Sequence, residues 1–125
     1  MNSITLKPEF NELITLNEFI LNELPEGNLQ VDLIVEEISS NIINYSKTDF
    51  ITVNVEFNTP ILTIEFIDNG LEFNPLLIEN PKLPENIDEA QIGGLGIFLT
   101  KQMADNISYY YLNGENHLKI TKRLE

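Results

Sequence analysis

Cysteine is absent from this chain and basic residues are scarce: 7 Lys and Arg stand against 20 Asp and Glu in 125 residues, a formal charge of −13. The first absence excludes disulfides and thiolate metal sites and fits a cytoplasmic protein. The second sets most of the surface against phosphate backbones, so direct nucleic-acid binding is disfavoured. No apolar run reaches the ~18 to 20 residues of a membrane span. Met1-Asn2-Ser3-Ile4 carries no basic region leading into an apolar stretch, so no signal peptide is expected. Two phosphate-binding motifs are missing as well: a Walker GxxxxGK followed by Ser or Thr, and a Rossmann GxGxxG. An acidic chain of this kind can hold a nucleotide only where a metal ion and a helix N-terminus supply local positive potential.

Hydrophobic residues make up 42% of the chain, enough for one well-filled core, and the length suits a single domain over residues 1–125. Ser3 to Lys7 alternates as a short strand, and Pro8 opens a helix. Phe10, Leu13, Ile14, Ile20, Leu21 and Leu24 recur at helical spacing up to Pro25-Glu26-Gly27, with Leu16 and Phe19 off that stripe. Off the stripe, those two form an exposed apolar patch suited to a homodimer contact. Asn28 caps a second helix from about Leu29 to Tyr45. Ile51 to Phe57 and Ile61 to Ile67 read as two antiparallel strands. Residues 71–92 hold three prolines and no sustained period, a long loop of functional character. Gly96 to Ala104 reads as a helix, and Ile107 to Leu112 and Leu118 to Leu124 as strands joined at Asn113-Gly114. His117, in this last hairpin, reads as an ordinary strand histidine, and Tyr109, Tyr110 and Tyr111 as residues packed on both faces of their strand.

Three segments carry chemistry. On a wheel of ~100° per residue, Val31, Ile34, Val35, Ile38, Ile42 and Tyr45 gather on the core face of the second helix. Glu37, Asn41 and Asn44 form a stripe along its edge, and Glu36 points to solvent. A carboxylate and two amides placed so can take a proton and ligate a hard cation, or can be the polar shoulder of an amphipathic helix. Asp68-Asn69-Gly70 ends an apolar strand. Its acid can accept a hydrogen bond from an exocyclic amine, and the same tripeptide is a common turn. Gly93-Gly94-Leu95-Gly96 opens a helix, as a phosphate-binding start or as a hinge.

Together these segments resemble the N, G1 and G2 boxes of the GHKL ATPases, and within them the anti-sigma-factor serine kinase branch. Val35 to Tyr45 resembles the N box, Phe66 to Pro75 resembles G1, and Ile92 to Leu99 resembles G2. The resemblance implies a Bergerat ATP-binding fold: an α+β two-layer sandwich, a mixed, mainly antiparallel sheet with helices on one face, in the order βααββ, lid, αββ. It implies Glu37 as general base, Asn41 as Mg²⁺ ligand, and nucleotide contacts from Asn44, Asp68, Gly70, Gly93, Gly94, Leu95 and Gly96. A family threonine or asparagine near adenine finds its nearest match in Asn116. The lid would span about 74–92, and ATP or ADP with Mg²⁺ would be the ligand. The implied function is phosphorylation of a serine on a small anti-sigma antagonist, with a sigma factor as a further partner and a homodimer as the working unit. One departure opens an alternative, a nucleotide-sensing binding module without phosphotransfer. Asp88-Glu89-Ala90-Gln91-Ile92 carries no Arg or Lys before the glycines, and Lys82 is the only cation of the lid.

Overall fold

The computed structural model describes residues 2–77 and 95–124. Its elements in chain order are β1 (Asn2–Leu6), α1 (Leu13–Glu23), α2 (Leu29–Tyr45), β2 (Ile51–Asn58), β3 (Ile61–Asp68), α3 (Leu95–Met103), β4 (Asn106–Leu112) and β5 (Glu115–Arg123). Short 3-10 turns lie at Phe10–Glu12 and Pro75–Leu77. This is the order read from the sequence. The first helix begins later than Pro8 suggested, because the 3-10 turn intervenes.

The strands form one sheet in the order β1-β2-β3-β5-β4. Every neighbouring pair is antiparallel. The two-layer α+β sandwich is therefore present, with a sheet antiparallel throughout the described strands rather than mixed. The cause is local: β2–β3 and β4–β5 are hairpins, and β5 lies beside β3 running against it. At the β4–β5 turn, Asn113 (φ 52°) and Gly114 (φ 79°) both adopt the left-handed conformation that a tight two-residue hairpin requires.

Strand alternation decides what the helices cover. Ile51, Val53 and Val55 on β2, Leu62, Ile64 and Phe66 on β3, and Leu118 and Ile120 on β5 occupy every second position and are buried. They meet Leu16 and Ile20 of α1 and Val31, Ile34, Val35 and Ile38 of α2 in one core. Continuing the same alternation brings Asp68 and Asn116 to the helix side as well. They stand opposite one another in the register that pairs Phe66 with Leu118. Two polar side chains thus lie beneath the helices at one end of the sheet.

α2 matches its sequence reading, and the Asn28 side chain accepts the Val31 N–H at 3.0 Å to cap it. α1 does not match. Leu16 is only 1% exposed, and Phe19 packs against the core, whereas Ile14 is 67% exposed and Phe10 and Leu21 also face outwards. The expected dimer patch of Leu16 and Phe19 is therefore corrected: these residues belong to the core. The helix is apolar on several sides, so spacing alone fitted two faces, and the sheet selected the one that includes Leu13, Leu16 and Ile20.

Candidate functional site

Between α2, α3 and the Asp68 end of the sheet lies a cavity of about 180 Å³. Its walls are largely apolar, formed by Ile38, Ile42, Phe66, Ile97 and Leu118, with Leu71 and Phe73 from the segment that follows β3. Tyr45, expected on the core face of α2, is 61% exposed and lines the mouth. A volume of this size is below the roughly 300–1,000 Å³ of pockets that enclose a whole small molecule. It suits one ring system, with the rest of a ligand outside.

Asp68 lies at the floor and is 4% exposed. Three donors converge on its Oδ1: the Ser46 hydroxyl at 2.8 Å, the Gly70 N–H at 2.9 Å and the Asn116 amide at 3.1 Å. No hydrogen bond among the described residues reaches Oδ2. Gly70 is glycine for a steric reason, since a Cβ there would overlap the Ser46 hydroxyl and carbonyl. The Leu71 N–H donates to that same carbonyl at 2.7 Å. Asn69 serves the turn: its side-chain oxygen accepts the Asp49 N–H at 2.8 Å, and its own N–H donates to Thr48 Oγ1 at 2.9 Å.

Asn116 is buried beside Asp68. Its amide nitrogen also donates to the Leu71 carbonyl at 2.9 Å, and its oxygen accepts the Phe73 N–H at 3.0 Å and the Tyr109 hydroxyl. Tyr109 lines the cavity. Its phenol is pushed above the ordinary tyrosine value, chiefly by burial, with the nearby Glu72 and Asp68 carboxylates adding to the rise and the Phe73 backbone opposing it. Ser46 and Tyr109 were not singled out as site residues in the sequence. Ser46 reaches Asp68 from the C-cap of α2, just before Lys47 takes a left-handed φ of 56°. Tyr109 meets Asn116 only through the β4–β5 pairing, where it stands opposite Leu118.

The stripe on α2 is divided. Asn41 lines the cavity and has no hydrogen-bond partner among the described residues. Asn44 is exposed and is not part of the lining, and Glu36 is exposed as read from the wheel. Glu37 is half-buried, and its carboxylate sits against Gly96, the second residue of α3, so closely that a Cβ there would overlap it. Leu95 begins α3. Gly93, Gly94 and most of the expected lid, from residue 78 onwards, lie outside the described residues. His117 faces away from the cavity: its ring stacks on Tyr110 at 4.4 Å and 8°, and Nε2 is 3.7 Å from Glu115.

Among the described residues no group of three or more His, Cys, Asp and Glu is placed to hold a metal. A hard cation at Asn41 would therefore need most of its oxygens from a ligand or from water, as Mg²⁺ commonly does beside phosphates. No described helix is long and apolar enough to cross a membrane.

Residues 14–122 match the model of the histidine kinase-like ATPase domain family. The chain is also similar to the serine/threonine-protein kinase BtrW of Bordetella bronchiseptica, 26% identical over 125 residues, which covers 95% of this chain and 88% of the relative.

Proposed function

Because the chain belongs to the histidine kinase-like ATPase domain family, a family whose name implies a nucleotide ligand, we propose that the cavity receives the adenine of ATP or ADP. On this reading the protein is an ATP-binding regulator that phosphorylates a serine on a small antagonist protein in a partner-switching system. The kinase name of the Bordetella relative supports that direction. The observation that carries the reading is the cavity floor. An apolar slot for one ring system ends on a buried carboxylate whose Oδ2 takes no hydrogen bond among the described residues and can serve an exocyclic amine.

The ribose and phosphates then lie outside the slot, towards Asn41 and the start of α3. The Asn41 amide oxygen supplies one protein ligand to Mg²⁺, which offsets phosphate charge when bound. The N-terminus of α3, at Leu95 and Gly96, offers backbone N–H groups to phosphate oxygens. Glu37, beside Gly96, takes the proton of the attacking serine hydroxyl. The new bond joins the serine oxygen to the γ-phosphorus, and the bond to the bridging oxygen breaks to release ADP.

The test is transfer of labelled γ-phosphate to a candidate antagonist, with hydrolysis followed in parallel. Glu37→Ala is expected to leave ADP binding nearly intact and cut transfer by about 100-fold or more, the usual cost of losing a placed general base. Glu36→Ala is the control. A specific feature favours a second reading, a nucleotide-sensing module: Lys82 is the single cation between residues 74 and 92, and phosphoryl transfer normally uses a cation beside the metal. Wild-type protein that binds ADP yet neither transfers nor hydrolyses with its partner present would establish that reading. Homodimerisation belongs to the same proposal, with Ile14 the most exposed apolar side chain of α1 available to it. An Ile14→Glu variant that elutes at the wild-type size would remove that face from consideration.

A further inference from the structure

We infer that Asn116 and Tyr109 form a positioning pair that presents Asp68 to the base, and that neither side chain donates a hydrogen bond to the nucleotide. The inference rests on the nucleotide reading of the cavity and reverses the role that sequence resemblance gives Asn116. An asparagine amide has two donor hydrogens and one oxygen with two acceptor sites. Here all four are engaged within the protein. The nitrogen serves Asp68 Oδ1 and the Leu71 carbonyl, and the oxygen serves the Phe73 N–H and the Tyr109 hydroxyl.

Chemistry fixes the amide's orientation. The Phe73 N–H can only donate and the Leu71 carbonyl can only accept, so exchanging oxygen and nitrogen would mispair both. Asn116 is 6% exposed. Turning it towards a ligand would give up four hydrogen bonds at once, one to the buried Asp68 and three to partly buried groups of Leu71, Phe73 and Tyr109. Tyr109 gives its single hydroxyl hydrogen to Asn116 and so has no donor left for a ligand.

The consequence falls on Asp68. With Oδ1 held by Ser46, Gly70 and Asn116, the carboxylate cannot swing, and Oδ2 is the acceptor left to face the cavity. A fixed acceptor favours an exocyclic amine, as on adenine, and opposes a carbonyl oxygen at the same place, as on guanine. Asn116 also pins the backbone on both sides of Glu72, so one side chain sets the floor at Asp68 and the wall at Leu71 and Phe73 together.

The test is amide hydrogen exchange by NMR on the full chain with and without ADP, joined to titrations with ADP and GDP. The Phe73 amide is expected to remain protected when ADP binds. Tyr109→Phe, which keeps the ring and removes the hydroxyl, is expected to weaken ADP by about threefold to tenfold, to speed Phe73 exchange and to narrow the preference for ADP over GDP. Tyr110→Phe, on the opposite sheet face, is expected to do none of these. Loss of Phe73 protection on adding ADP would show Asn116 turning to the nucleotide and overturn the inference while leaving the nucleotide reading intact. A Tyr109→Phe protein with unchanged affinity and base preference would overturn it too. ADP that perturbs no wild-type resonance would overturn both.

Discussion

Gly70 and Gly96 are each crowded by a neighbour, and the neighbours differ in kind. A side chain at Gly70 would strike the Ser46 backbone carbonyl as well as its hydroxyl, while one at Gly96 would strike the far end of the Glu37 side chain. Backbone cannot step aside, so Gly70→Ala is expected to destabilise the fold by about 1–3 kcal/mol, read as a lower denaturant midpoint. A glutamate tip can move. Gly96→Ala is expected to melt close to wild type while displacing the carboxylate, so that phosphotransfer falls more than ADP binding does. Asp68→Asn is expected to weaken ADP by about tenfold or more, because an amide oxygen is a poorer acceptor and its nitrogen a competing donor; equal affinities in isothermal titration would remove Asp68 from the site. At this scale the sequence made Asp68 legible, as an acid closing an apolar strand. Ser46 was not legible, because its place depends on a left-handed turn at Lys47, a residue type that gives no hint of one.

Elements were legible where one face alone could be buried. α2 has a single apolar face, a capping asparagine and a clear end, and the structure shows Leu29–Tyr45 as read. α1 offers apolar residues in several directions, and its inward face was settled by the strands beneath it, which no local pattern encodes. Leu16→Ala, at a position 1% exposed, is expected to cost about 2–5 kcal/mol. Ile14→Ala, at a position 67% exposed in the single chain, is expected to change the stability of the monomer, measured at low protein concentration, by no more than about 0.5 kcal/mol. Chemical denaturation of the two variants checks the pair, and similar losses would restore the original stripe. β4 was legible as a strand with tyrosines on both faces, but that could not reveal that Tyr109 faces a cavity while Tyr110 stacks on a histidine. That difference arises from the neighbouring strand.

Across the whole molecule, charge is unevenly shared. From Pro8 to Ser46 the chain carries Glu9, Glu12, Glu18, Glu23, Glu26, Asp32, Glu36 and Glu37 and no Lys or Arg, whereas Lys119, Lys122 and Arg123 cluster on β5. Self-repulsion across the α1–α2 layer opposes compaction, and added salt screens it. The melting temperature is therefore expected to rise as sodium chloride is raised from low to moderate concentration. Alkaline pH acts at one residue. The raised phenol of Tyr109 favours its neutral form in the folded state, so its contribution is complete below the ordinary tyrosine value of about 10. That contribution is lost as pH rises through the higher folded value. Stability is expected to decline in that window, and Tyr109→Phe to flatten the decline.

The placement of the tyrosines also gives the protein its own optical readout. The chain contains no tryptophan and four tyrosines, so its near-ultraviolet emission belongs to tyrosine. Tyr109 and Tyr45 line the cavity, whereas Tyr110 is stacked on His117 across the sheet. A purine entering the slot is expected to dim the first two and spare the third. Occupancy of the cavity can then be followed by native fluorescence, without a label and without altering any residue of the site.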